Sequence, residues 1–149
     1  MTMATTVGTE AELIHLLKNL VRLDYDAVDA YQAAIDRLDD SRNREKFSTF
    51  MGDHQRHIEN VSMHLKELGE VPPERGDLKS YLTQGKVIIG GLMGDNAIIK
   101  AMQTNEEDTN KAYSMALERT DLTPKIRSTL EQNLADERTH KMWIEQNLA

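Results

Sequence analysis

The stretch Asp24-Tyr25-Asp26-Ala27-Val28-Asp29-Ala30-Tyr31-Gln32-Ala33-Ala34-Ile35 returns 82 residues later as Glu106-Glu107-Asp108-Thr109-Asn110-Lys111-Ala112-Tyr113-Ser114-Met115-Ala116-Leu117. Each copy has an acid seven residues before a tyrosine, then alanine and an aliphatic residue. A second pair follows at an offset of 83: Asp53-His54-Gln55-Arg56-His57 against Asp136-Glu137-Arg138-Thr139-His140. Around all four stretches the apolar residues recur every three or four positions, the period of a helix with one face in a core. A two-helix pattern that occurs twice predicts a hairpin, a crossover and a second hairpin.

The seams extend outward from these stretches. Leu13, Leu17, Leu20, Asp24, Ala27, Tyr31, Ala34 and Leu38 line the first helix. Thr9 is expected to start it, with Glu12 completing a Thr-x-x-Glu capping box. The second helix is expected from Asn43 to Leu68, its seam carrying Phe47, Phe50, His54, Ile58, Val61 and Leu65, with His57 alongside. Gly69 and Pro72-Pro73 stop it. Gly52 lies inside this helix and suggests a neighbouring helix passing close by. The third helix is expected from Asp95 to Thr120, with Ile99, Met102, Glu106, Thr109, Tyr113 and Ala116 inward. Thr123-Pro124 opens the fourth: a capping hydroxyl, then a proline where its missing N–H does no harm. Residues 70–77 read as a long linker, and residues 78–94 have room for a short helix packed across the bundle, over Leu78–Met93, or for a strand over Lys86–Ile89.

Composition agrees. Three Pro and eight Gly in 149 residues favour long helices over a punctuated sheet. The absence of Cys removes disulfides, thiolate ligands and thiol nucleophiles. Lys and Arg number 18 against 25 Asp and Glu, for a formal charge of -7, and the basic residues are scattered. That charge pattern argues against nucleic acid as a partner. Val87–Met93 is too short to span a membrane. Residues 1–8 have no signal-peptide character and are expected to be a flexible tail, leaving 9–149 as one domain in a cytoplasmic protein.

Six residues break the apolar seams: Asp24, His54, His57, Glu106, Glu137 and His140. Positions three apart share a helix face, so His54 with His57, and Glu137 with His140, project together. A carboxylate in an apolar core needs a cation or dense hydrogen bonding. Imidazoles beside carboxylates can bind iron, manganese or zinc.

With these residues the chain resembles the ferritin-like superfamily, in which Glu from two helices and Glu-x-x-His from the other two hold a di-iron or di-manganese centre. Within it, the chain is similar to a bacterial family of uncharacterised four-helix bundles related to rubrerythrin-like domains. The resemblance implies an all-α antiparallel four-helix bundle with a long crossover between the second and third helices. It also implies that Glu137 and His140 match the motif outright, that Glu106 and Asp24 are the isolated acids, and that Tyr31 and Tyr113 accompany the site. Position 54 departs from it: the motif has a bridging Glu where this chain has His54. A neutral imidazole has one lone pair and cannot bridge two metals as a carboxylate does. Asp53, about 100 degrees further round the helix, is expected on a flank.

Two functional readings follow. In one, the six residues form a divalent-metal site, and oxidase or peroxidase chemistry would further require redox-active metal and an open coordination position. In the other, the bundle is metal-free, its polar core fixes helix register, and it acts through protein contacts, as a homodimer for instance, with Leu78–Met93 as the contact surface. No catalytic residue and no haem are assigned. His15 and His64 read as surface or interface residues, Trp143 as packing, and the methionines as adaptable core or contact residues.

Overall fold

Thr123 and Pro124 start a helix for separate reasons, and both operate. The Thr123 hydroxyl accepts from the Ile126 N–H at 3.2 Å, and Pro124 takes the first helical position. The computed structural model describes residues 5–75, 89 and 91–148. Its helices are α1 (Leu13–Arg37), α2 (Ser41–Glu67), α3 (Asp95–Ala116) and α4 (Pro124–Gln146).

The order around the bundle follows from the contacts: α1 packs on α2 and α3, and α4 packs on α3 and α2. Direction is fixed at the two ends. The Asp95 carboxylate, in the first turn of α3, accepts from Asp39 N (2.7 Å), Asp40 N (3.0 Å) and Asn43 Nδ2 (2.8 Å) in the α1–α2 turn. At the opposite end, Arg119 donates to the carbonyls of Glu10 and Ala11, just before α1. Helices α2 and α3 therefore begin at the same end and run the same way. The connection between Glu67 and Asp95 has to return the length of the bundle. This is an all-α four-helix bundle with a long crossover between its second and third helices. No helix among the described residues is long and apolar enough to cross a membrane.

The seams go inward as expected, with Phe47, Val61, Leu65, Ile99, Met102, Ala116, Leu130 and Ile144 all buried. Helix ends differ from the sequence expectation by a few residues. Helix α1 begins at Leu13, not Thr9, and Glu12 at its cap position makes no side-chain cap. The Thr9 hydroxyl instead donates to Thr6 O at 2.6 Å, and Glu10 Oε1 accepts from Gly8 N at 2.7 Å. Helix α2 begins at Ser41 because Asp40 caps it, accepting from Arg42 N at 2.8 Å. Helix α3 stops at Ala116, where the last turn tightens with Glu118 N on Met115 O and Arg119 N on Ala116 O, and Arg127 donates to the carbonyls of Leu117 (3.0 Å) and Arg119 (2.8 Å) beyond it. Gly69 follows α2 with φ +76°, the left-handed conformation that ends helices.

Thr5 and Val7 are buried, although residues 1–8 read as a tail from sequence. Gly8, at φ +109°, lies so close to α3 that an added Cβ would come within 2.7 Å of the Met115 Cβ. His64 is also buried, within hydrogen-bonding distance of Thr129 Oγ1 at 2.8 Å, rather than at the surface. The expected helix or strand within residues 78–94 lies outside the described residues, apart from buried Ile89 and residues 91–94.

Gly52 corrects another expectation. Among the described residues, and apart from the backbone of its own helix, no heavy atom lies within 4 Å of a Cβ built there, so close approach of α1, α3 or α4 does not explain it. Gly52→Ala should therefore stabilise the protein by about 1 kcal/mol, the helix-interior difference between the two residues. Chemical denaturation of the two proteins checks this, and a loss of stability would place a hidden neighbour against that face.

Candidate metal centre

Each helix sends its seam exceptions to one level of the bundle. Asp24 comes from α1, His54 and His57 from α2, Glu106 from α3, and Glu137 and His140 from α4. None is more than 1% exposed. The structure thus brings all six sequence-selected residues together. They fall into two sets, Asp24, His54, His57 and Glu137, and His54, Glu106, Glu137 and His140. Within each set the candidate ligand atoms all lie within 4.8 Å of one another. His54 and Glu137, equivalent in the internal repeat, belong to both.

The contacts repeat the pseudo-symmetry of the sequence. The Tyr113 hydroxyl donates to Asp24 Oδ2 at 2.6 Å, and the Tyr31 hydroxyl donates to Glu106 Oε1. Each tyrosine therefore orients the acid of the other half. Thr109 adds a hydroxyl between the two acids, 3.3 Å from Glu106 Oε2 and 2.9 Å from Glu137 Oε2.

Outside the layer two more carboxylates complete the arrangement. His57 Nε2 is 2.9 Å from Asp136 Oδ2, and His140 Nε2 is 2.8 Å from Asp53 Oδ2. An ionised carboxylate only accepts, so each imidazole donates outward through Nε2 and turns Nδ1 to the centre. Arg56 spans both outer acids, 3.1 Å from Asp53 Oδ1 and 2.6 Å from Asp136 Oδ2. Asp53 is not idle on a flank, as its place on the helical wheel suggested. It and Asp136 were missed because their partners lie on the facing helix. A signal existed in the sequence: each immediately precedes the paired position of its copy.

Electrostatics follow from this crowding. Burial alone would push the three imidazoles down, but the surrounding carboxylates outweigh it. Glu137, Asp24 and Glu106 raise His54 to about 9, and Asp24 and Glu137 raise His57 to about 10. Asp53, Glu106 and Glu137 push His140 up to about 12. Burial would raise Asp24 and Glu106, yet hydrogen bonds from the histidines hold both below the usual carboxylate range. Burial, then the adjacent acids, raise Tyr31 and Tyr113, so both remain neutral donors.

Among the described residues, three buried atoms of the layer have no hydrogen-bond partner, His54 Nε2, His140 Nδ1 and Glu137 Oε1, their nearest ion-pair contacts being longer at 3.7, 3.4 and 3.3 Å. Buried polar groups are otherwise almost always paired, so these unmet atoms mark where a further group fits. Their chemistry, imidazole nitrogen with carboxylate oxygen, suits a divalent cation such as zinc, iron or manganese. A surface recess of about 520 Å³ between α3 and α4 lies outside this layer. Asn110 lines it and separates it from the centre by donating to Glu106 O (2.7 Å) and Glu137 O (3.0 Å).

Comparison with known proteins gives the family and the fold. The profile of a family described as a domain of unknown function, DUF2383, matches residues 12–119. A conserved hypothetical protein, rv2844, from Mycobacterium tuberculosis, known from its crystal structure, superposes with a TM-score of 0.73 at 13% identity. The match covers 89% of this chain and 93% of that one, and it establishes a shared fold. No curated protein sequence matches.

The raised histidines give a pH dependence of defined sign. Each contributes stability that is complete below the ordinary histidine value of 6.5 and is lost as pH rises through its folded value, about 9 for His54 and about 10 for His57. Asp24 and Glu106 behave oppositely, contributing above the ordinary carboxylate range and losing that contribution in acid. The metal-free protein should thus be most stable near pH 5–6 and lose stability steadily between about pH 6.5 and 10. Equilibrium unfolding across that range tests it, and a flat profile from pH 6 to 9 would contradict it.

Proposed function

This chain belongs to the DUF2383 family of domains of unknown function, and from the chemistry of its core we propose that it is a ferritin-like bundle protein that binds a divalent metal ion between its four helices. The observation that carries the reading is the set of buried atoms without a hydrogen-bond partner, His54 Nε2, His140 Nδ1 and Glu137 Oε1, on residues whose candidate ligand atoms lie within 4.8 Å of one another. The outer carboxylates support it. A metal-binding histidine typically donates its second ring N–H to a carboxylate, which fixes the tautomer and raises ligand basicity. His57 and His140 are held that way by Asp136 and Asp53.

Asp24, His54, His57, Glu106, Glu137 and His140 are the candidate ligands. A bound metal would supply Lewis acidity, or one-electron chemistry if it were iron or manganese. The protein's own part is plainer. Tyr31 and Tyr113 orient the isolated acids, Asp53 and Asp136 orient the histidines, and the buried layer keeps water away. A dinuclear oxidase or peroxidase centre of the rubrerythrin-like kind would need a bridging carboxylate where His54 stands, so metal binding is proposed here without that chemistry.

A second reading has its own observation. Three imidazoles with raised pKa values stand among three carboxylates, so protonated histidines neutralise the layer without any metal. The bundle would then be a metal-free scaffold with register fixed by its polar layer. Metal-stripped protein offered zinc, manganese and anaerobic ferrous iron separates the two. The metal-binding reading expects at least one equivalent of one of these ions to be retained, with stabilisation of about 2.7 kcal/mol when free metal exceeds Kd 100-fold. A variant combining Asp24→Ala, Glu106→Ala and Glu137→Ala should retain none. No binding by the native chain, or equal retention by the variant, sinks the reading.

A further inference from the structure

His54 is shared by the two ligand sets, and its two nitrogens have different surroundings. Nδ1 lies 2.7 Å from Asp24 Oδ1. Asp24 is an acceptor at that distance, so the Nδ1 position carries the proton. The lone pair of a neutral His54 is then on Nε2, which lies 3.7 Å from Glu106 Oε1 and has no hydrogen-bond partner. It cannot serve both sets at once.

The remaining contacts point the same way. Around Asp24, Oδ1 pairs with His54 Nδ1 and lies 3.3 Å from His57 Nδ1, and Oδ2 accepts from Tyr113 at 2.6 Å. On the other side, His140 Nδ1 is buried without a hydrogen-bond partner, 3.4 Å from Glu106 Oε1 and 3.6 Å from Glu137 Oε2. Both orphaned nitrogens belong to the second set. Glu137 reaches both sides: Oε1 lies 3.3 Å from His57 Nδ1 and 3.4 Å from His54 Nδ1, while Oε2 lies 3.6 Å from His140 Nδ1 and is the oxygen that serves the second set.

We infer that the centre is asymmetric and takes a single divalent ion per chain, held by His54 Nε2, Glu106, Glu137 and His140 Nδ1. Asp24, held by Tyr113, aims His54 instead of coordinating, and His57 stays beside it outside the ligand shell. Two carboxylates balance the two charges of the ion, and two imidazoles complete a four-ligand shell of the kind zinc accepts. The inference deepens the metal-binding reading and rests on it.

Zinc is the probe. Metal-stripped full-length protein should bind one zinc per chain by native mass spectrometry and titration calorimetry. Glu106→Gln and His140→Gln, which remove ligands, should weaken zinc by more than about 100-fold, beyond the 10–100-fold that loss of a supporting group costs. Asp24→Asn and His57→Gln should keep the one-to-one stoichiometry and stay within that supporting-group range. Two zinc ions per chain, or a loss in Asp24→Asn as large as in Glu106→Gln, overturns the inference while leaving metal binding intact. Absence of zinc, manganese and iron from the native chain overturns the underlying reading instead. Crystals of the zinc-loaded native protein decide the matter without any variant. A single anomalous peak between His54 and His140 supports the inference, and a peak between Asp24 and His57 refutes it.

Discussion

Charge balance inside a layer buried from solvent is the constraint on which this bundle depends. Three carboxylates and three imidazoles are buried at one level, and an isolated ion there would cost several kcal/mol even after relaxation. The helices can close only if every acid faces a proton donor or a cation. This one requirement fixes the rotation of all four helices about their axes. A slip of one residue in any of them would move an acid about 100 degrees away from its partner.

Apolar packing is arranged around the same layer. One cluster, including Leu16, Leu20, Leu65, Tyr113 and Leu130, fills the end near the start of α1. The other, including Tyr31, Phe47, Phe50, Ile98 and Met102, fills the end near the α1–α2 turn. Each cluster contributes one tyrosine whose ring belongs to the hydrocarbon and whose hydroxyl belongs to the polar layer. Phe50 does related work, its ring centroid 4.2 Å from that of His140. The polar groups thus inherit their precision from large rigid rings, which lose little conformational freedom when buried.

The fold was legible because its signal is periodic and occurs twice. Asp24 and Glu106 stand out as acids on seams that are otherwise apolar, and Glu137-x-x-His140 has a spacing that only a helix makes useful. What could not be read were features set by the distance between helices. Asp53 and Asp136 look like ordinary solvated acids on a single helical wheel, since only the approach of α2 and α4 brings each to the other's histidine. His64 was hidden for the same reason, because its partner Thr129 is on the facing helix. Helix starts failed differently. Thr9 and Glu12 satisfy a capping box on paper, but Glu10 is drawn to Gly8 N and Asn19 instead. Gly52 was over-read: a glycine in a helix need not have a neighbour.

Arg56 has no counterpart in the repeat, where Thr139 occupies the equivalent position. Its guanidinium faces solvent, with its side chain 55% exposed, while the acids it joins touch the histidines of the buried layer. Dissolved salt screens charges over about 8 Å at physiological ionic strength and acts on exposed pairs far more than on buried ones. The outer bridge is therefore sensitive to the ionic medium, whereas the inner carboxylates and imidazoles are shielded from it. Through one surface side chain, a buried core is coupled to the electrolyte around the protein.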